Sequence, residues 1–282
     1  MFVFSSFGKA GKSKTGLAAC LLALCATCAL GSAQAAGQGK LYLVSVGIGD
    51  PDNITVKAQK VLKQADLLIG GKRVADNFAD LVQGKEIHEA GHGLFTPMQR
   101  RNMDDDKASA MEQKNRELIR QAIKQGKTVA VVDYGDPMIF GPQTGYLKEF
   151  HDLNPVVIPG VSSFNAANAA LGTGVTSGKN SQSVILTSVG SARDNYKGSD
   201  PLAKLAQTQS TIALFTMRVD LPLVVEQLKQ LYPGNTPVAI VSHAGYSDKQ
   251  QVLRATLDSV VSQVGDSELP FEHMIYVGSF LE

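Results

Sequence analysis

From residue 40 onward, apolar and polar positions alternate in blocks. Residues 41–46 form a short apolar run interrupted only by Ser45, which predicts a buried strand. The turn Gly47-Ile48-Gly49-Asp50-Pro51 follows it. Between residues 55 and 65, Val56, Ala58, Val61, Leu62 and Ala65 recur at helical spacing, with Asn53 or Thr55 as the cap. Residues 66–69 return to a strand that stops at Gly70-Gly71. Strand, helix and strand in that order imply a parallel pair, because the crossover must carry the chain back over the sheet.

The pattern continues with a helix over 108–125, where Met111, Leu118, Ile119, Ala122 and Ile123 share one face and Gly126 ends it. A strand over 128–132 runs into Asp133-Tyr134-Gly135-Asp136-Pro137, and a helix is expected over 145–153. Residues 155–160 read as a short strand entering a turn, and the domain junction is placed there, dividing the chain at 155. The second half is less regular. Strands are expected over 183–187, 211–216, 238–242 and 274–277, a helix over 221–231, and polar loops over 176–182 and 188–199. The expected fold class is α/β, with one domain over 40–155 and another over 156–282.

The first 36 residues differ from the rest. Lys9, Lys12 and Lys14 form a basic region, residues 16–30 a small and apolar run, and Ala33-Gln34-Ala35 a small-x-small cleavage pattern. These are the three parts of a secretory signal, so residues 1–35 are expected to be removed and the protein to be exported to the periplasm. The apolar run is short for a membrane span, so no stable span is expected after cleavage. Cys20, Cys25 and Cys28 are all the cysteines, so the mature chain would hold no disulfide and no thiolate. Cleavage lowers Lys plus Arg from 27 to 24 against 26 Asp plus Glu. With 44% hydrophobic and 19% charged residues, the chain has the makings of a packed core. It has no basic block or tryptophan platform suited to nucleic acid.

Several motifs follow strands in a fixed order. They are Val46-Gly47-Ile48-Gly49-Asp50-Pro51, Ala65-Asp66-Leu67-Leu68-Ile69-Gly70-Gly71, Gly135-Asp136-Pro137-Met138-Ile139-Phe140-Gly141 and Pro159-Gly160-Val161-Ser162-Ser163-Phe164. Phe215-Thr216-Met217, Pro237-Val238-Ala239-Ile240-Val241 and Ile275-Tyr276-Val277-Gly278 complete the series. In this order and at these separations, residues 40–282 resemble the tetrapyrrole methylases. The resemblance implies two αβα domains with a cleft between them, a homodimer, S-adenosylmethionine as cofactor and a precorrin- or porphyrin-type ring as substrate. It implies cofactor contacts at Ile48, Tyr134, Gly135, Asp136, Ile139, Ser162, Ser163, Met217 and Ala244. It carries over no catalytic residue and no metal. Asp136 would suit the amino-acid end of the cofactor, and Met217, Val238 and Ala239 its adenosine.

The chain departs from the family at Ser45 and Ile48, where many members have glycine and proline, and at Tyr134, where glycine is usual. Gly71 stands where some members carry an acid. Gly70-Gly71-Lys72-Arg73 resembles the branch acting on precorrin-6-type rings, whereas the C-terminal half resembles the precorrin-4 branch. Export raises an alternative. S-adenosylmethionine is made in the cytoplasm, so the fold could serve outside it as a non-catalytic tetrapyrrole- or haem-binding protein.

His88-Glu89-Ala90-Gly91-His92 matches the spacing of zinc proteases, which need both histidines on one helical face. Gly84, Gly91 and Gly93 argue against a helix there. Arg100, Arg101 and Lys107 are candidates for ring carboxylates, set against a solvated loop beside Asp104, Asp105 and Asp106.

Overall fold

The computed structural model describes residues 39–96, 103–179, 181–216 and 219–282. The expected signal segment, the three cysteines, Arg100, Arg101 and Met217 lie outside the described residues.

The first half carries β1 (Lys40–Ser45), α1 (Val56–Gln64), β2 (Leu67–Gly70), α2 (Lys72–Asn77), α3 (Ala79–Val82), β3 (Glu86–Glu89), α4 (Asp105–Lys124), β4 (Thr128–Asp133), α5 (Gly145–Glu149) and β5 (Val156–Ile158). Its five strands form a wholly parallel sheet in the order β3-β2-β4-β1-β5. Both faces of this sheet are covered. Val44, Val46, Ala130 and Val132 pack against Ala58, Val61, Val74 and Val82 of α1 to α3. Leu41, Leu43, Val129 and Val131 pack against Ile119 and Ala122 of α4, Tyr146 of α5 and Phe150 just after it. This period-2 division of β1 and β4 explains why their sequences read as unbroken apolar runs: each side chain meets a helix whichever way it points.

The second half carries α6 (Ser163–Leu171), β6 (Val184–Ser188), α7 (Leu202–Ala206), β7 (Thr211–Phe215), α8 (Leu221–Lys229), β8 (Pro237–Ser242), β9 (Gln251–Thr256), α9 (Val260–Val264) and β10 (His273–Val277). Its sheet order is β6-β7-β10-β8-β9. Only β6 and β7 run parallel; the β7-β10, β10-β8 and β8-β9 pairs are antiparallel. Leu202, Val224, Leu228 and Val260 cover one face, and Ala166, Ala167 and Leu171 of α6 cover the other. Each half is therefore an αβα sandwich, as the resemblance implied.

Three of the expected segments differ in the structure. The strand placed after residue 155 in the C-terminal domain is β5, which pairs with β1, so the first sheet continues through Ile158. β5 pairs with Tyr42 to Val44 of β1 before the chain leaves that sheet. The helix expected over 145–153 ends at Glu149, and a 3-10 turn at His151–Leu153 follows. The segment over 188–199 is not all loop, because a 3-10 turn occupies Val189–Ala192.

Candidate functional site

The carboxyl ends of the parallel strands converge on one side. At the ends of β1 and β4, Gly47 and Gly135 form an antiparallel bridge, with the Gly135 N–H donating to the Gly47 carbonyl at 2.8 Å. The helix after β1 lies on one face of the sheet and the helix after β4 on the other. Adjacent strands whose helices leave on opposite faces open a crevice at their carboxyl ends, where α/β sheets bind ligands. Gly47 (φ 77°) and Gly135 (φ 71°) take conformations that a side chain would strain. Ser45, fully buried, ties this junction together: its hydroxyl donates to the Gly135 carbonyl and accepts from the Gly47 N–H at 2.9 Å. The departure from glycine at position 45 thus supplies a hydrogen-bond bridge.

A cavity of about 580 Å³ opens in front of these ends. Ile48, Gly71, Gly91, Asp133 and Tyr134 approach it from the carboxyl ends of β1, β2, β3 and β4. Ser188, Phe215, Thr216, Val241 and Ala244 approach from the ends of β6, β7 and β8, and His273 and Met274 from the start of antiparallel β10. The wall is therefore built by both sheets.

Of the nine residues implied by resemblance, Ile48, Tyr134, Ser163 and Ala244 line the cavity. Gly135, Asp136, Ile139 and Ser162 do not line it; the first three belong to the loop after β4, and Ser162 precedes α6. The Asp136 carboxylate accepts from the Met138 N–H at 2.8 Å and the Gly160 N–H at 3.4 Å, so it holds the two family loops together. Ser162 is the buried N-cap of α6; it accepts from the Asn165 N–H at 3.2 Å, and Asn165 reaches back to the Ser162 N–H in a capping box. Met217 lies outside the described residues, next to Thr216, which lines the wall.

Sequence reasoning gave no site role to Asp133, Arg73, Phe140 or Phe215, although they stand in the quoted motifs, nor to Glu272 or His273; all six line the cavity. Asp133 carried a signal: it is the one acid closing an otherwise apolar strand. Burial pushes its pKa up to about 6, and a nearby Asp136 adds to this, although N–H groups of Gln143 and Tyr134 stabilise the charged form. Burial likewise pushes Tyr134 up to about 12, and its hydroxyl has no hydrogen-bond partner among the described residues. The His273 ring accepts no proton from the Pro270 carbonyl 2.6 Å away, so Nδ1 must be the donor there. Nε2 is then left as an acceptor without a partner among the described residues, and burial lowers the pKa of the ring.

Phe140 adopts φ 58°, unusual for a bulky residue, and its ring lies 4.7 Å from that of Phe215 at 41°. This contact joins the glycine-aspartate-proline loop to the end of β7.

His88 lies on β3 and His92 in the loop beyond it, so the two do not share a helical face. The zinc-protease spacing is without the helix that its chemistry needs. Lys107 belongs to the first turn of α4, where its N–H donates to Asp104.

A family model described as Tetrapyrrole (Corrin/Porphyrin) Methylases matches residues 40–261. The chain is 30% identical over 243 residues to the precorrin-4 C(11)-methyltransferase of Pseudomonas aeruginosa, covering 86% of this chain and 90% of that protein. It is 30% identical over 250 residues to the cobalt-precorrin-4 C(11)-methyltransferase of Methanocaldococcus jannaschii, covering 86% and 88%. Among solved structures, a cobalt precorrin-4 methyltransferase described as a cobalamin biosynthetic enzyme superposes with TM-score 0.65 at 27% identity, over 86% of this chain and 96% of that one. The fold is also similar to a uroporphyrin-III C-methyl transferase from Thermus thermophilus solved with S-adenyl homocysteine (TM-score 0.61, 22% identity, 86% and 94% covered).

Proposed function

Because this chain belongs to the tetrapyrrole methylase family, we propose that its cavity holds S-adenosylmethionine beside a precorrin-4-type ring for methylation of a ring carbon. The observation that carries the reading is the convergence of the bridged Gly47 and Gly135 loops with the ends of β7 and β8 on one cavity.

The residues present fit that cofactor. Ile48, Phe215, Val241 and Ala244 give an apolar wall suited to a nucleoside, and the orphaned Tyr134 hydroxyl offers a polar group that a ligand would satisfy. Ser163 stands in the first turn of α6, where helix N–H groups favour a carboxylate. The cofactor supplies a methyl group on a sulfonium, an already activated leaving group. The chain's main task is then alignment of the ring carbon with it. Methylation at carbon releases a proton, and Asp133, with a pKa near 6, is largely ionised at neutral pH and gives the cavity a proton acceptor.

The basic, apolar and small-residue regions at the N-terminus support export with cleavage after Ala35, and the family resemblance supports a homodimer. Among the described residues no helix is long and apolar enough to cross a membrane. An exported chain would need its cofactor supplied from the cytoplasm, and a non-catalytic ring-binding role is the alternative outcome. Calorimetric titration of the chain from residue 36 with S-adenosylhomocysteine, followed by transfer of labelled methyl to a precorrin-4-type ring, separates the two. Cofactor binding with methyl transfer supports the enzyme. Ring binding with no cofactor heat would replace it with the binder.

A further inference from the structure

Arg73 sits in α2, just past the end of β2, and reaches across to the other half of the protein. Its Nη1 and Nη2 donate to Oε1 of Glu272 at 3.5 and 3.4 Å, and Nη2 donates to the Tyr246 hydroxyl at 3.2 Å. The guanidinium also lies 5.0 Å from the centre of the Tyr134 ring. Among the described residues it is the only lysine or arginine that lines the cavity. Burial works against its charge, but Glu272, Tyr246 and Tyr134 outweigh this and raise its pKa.

The pairing with Glu272 is a weak one. Both contacts fall on a single oxygen at the long end of the hydrogen-bond range, and the Arg73 side chain remains 56% exposed. Glu272 has a second partner within reach, since its Oε2 lies 3.6 Å from Nδ1 of His243. Arginine recognises a carboxylate best through two parallel donors, an arrangement that Glu272 does not provide. On the same cavity wall, Phe140, which packs against Phe215, and Phe271 are still 55% and 64% exposed, large apolar surfaces open to the cavity. A planar apolar ring with ionised carboxylates at its edge complements both features.

We propose that Arg73 is a specificity-determining residue that takes a peripheral carboxylate of the tetrapyrrole, with Glu272 holding that place until the substrate carboxylate displaces it. Phe140 and Phe271 then receive the face of the ring. The proposal rests on the methylase reading for the choice of a tetrapyrrole and on the geometry for the residue. The exchange breaks no covalent bond, and Glu272 turns to His243 as it leaves Arg73.

The test is a fluorescence titration of the chain from residue 36 with uroporphyrin, an octacarboxylate porphyrin, run beside calorimetry with S-adenosylhomocysteine. Arg73→Ala should weaken uroporphyrin about tenfold, the loss of roughly one charge-assisted contact. Arg73→Lys should recover part of it, and Glu272→Gln should bind at least as tightly as the wild type. Lys72→Ala removes an exposed neighbouring cation and should stay within about twofold of the wild type, a control for general charge. S-adenosylhomocysteine affinity should be unchanged in Lys72→Ala and should fall less than uroporphyrin affinity in Arg73→Ala. Uroporphyrin affinity within twofold of wild type for Arg73→Ala, or an equal loss in Lys72→Ala, would overturn the assignment. A loss in Glu272→Gln as large as in Arg73→Ala would make the pair a strut and overturn it too. So would a wild type that binds S-adenosylhomocysteine and not uroporphyrin. A wild type without S-adenosylhomocysteine binding instead refutes the methylase reading, whichever way the Arg73 comparison falls.

Discussion

Gly49 and Gly245 meet backbone to backbone: a Cβ on Gly49 would overlap the carbonyl group of Gly245. The two belong to the turns after β1 and β8, and the Asp50 N–H donates to the Gly245 carbonyl at 2.9 Å. The Asn53 side-chain amide donates to the same carbonyl, also at 2.9 Å. Gly49→Ala adds both this overlap and the strain of φ 83°. We expect a loss of about 2–4 kcal/mol in urea unfolding, by overpacking plus backbone strain. Weaker S-adenosylhomocysteine binding should accompany it, since Ile48 and Ala244 flank the contact.

Ser45→Ala should cost about 1–3 kcal/mol, because it strips a donor from the Gly135 carbonyl and an acceptor from the Gly47 N–H in a buried place. Chemical unfolding of the variant against wild type measures it. A change under about 0.5 kcal/mol would mean that the two glycine loops are held without the serine.

The fold raises the Asp133 pKa from its ordinary 3.8 to about 6, so the folded state favours the protonated carboxyl. Its contribution to stability is therefore fully present below about pH 4 and is lost as pH rises through 6. The full swing is about 3 kcal/mol by linkage. Asp133→Asn removes this group from the titration. The stability difference between wild type and variant, followed from pH 4 to 7, should shift steadily against the wild type. A difference that stays flat over that range would refute the shifted carboxyl.

Tyr134→Phe removes a buried hydroxyl without a partner among the described residues. Thermal unfolding of the ligand-free protein should therefore be unchanged or slightly raised. Titration with S-adenosylhomocysteine should show up to about tenfold weaker binding, the loss of one hydrogen bond at the cavity. Lower stability with unchanged binding would place the hydroxyl in the fold instead.

Much of the first half was legible because burial on both sheet faces leaves a clear pattern. Residues 41–46 and 128–132 read as strands, Thr55 is the observed cap of α1, accepting from the Ala58 N–H, and α4 lies within three residues of its expected start. Of the four edge strands, β5 and β6 were expected, but β3 and β9 were not legible. Glu86–Glu89 and Gln251–Thr256 are polar and mostly open to solvent, so their pairing leaves no hydrophobic signature. The assignment of β5 to the first sheet was hidden for another reason: three residues carry no mark of which sheet they join. For the site, the motif order located the loops, and Ile48, Tyr134, Ser163 and Ala244 do line the cavity. Arg73, Glu272 and Phe215 come together only through tertiary packing, since they sit far apart in sequence and on different halves.

The parallel sheet's pairing also sets an order on how the chain is made. β1 pairs only with β4 and β5, and β2 pairs with β4 and β3. During synthesis, β1 therefore has no partner until Thr128–Asp133 has emerged, and until then β2 can pair only with β3. The waiting stretch Lys40–Ser45 is rich in apolar, strand-forming residues, the kind of segment that invites wrong partners while exposed. β4 is the strand whose arrival converts a string of separate helices and strands into a closed layer. Nascent chains halted just before residue 128 should therefore remain open to proteolysis and chaperones, whereas chains halted well after Ile158 should already protect the first sheet.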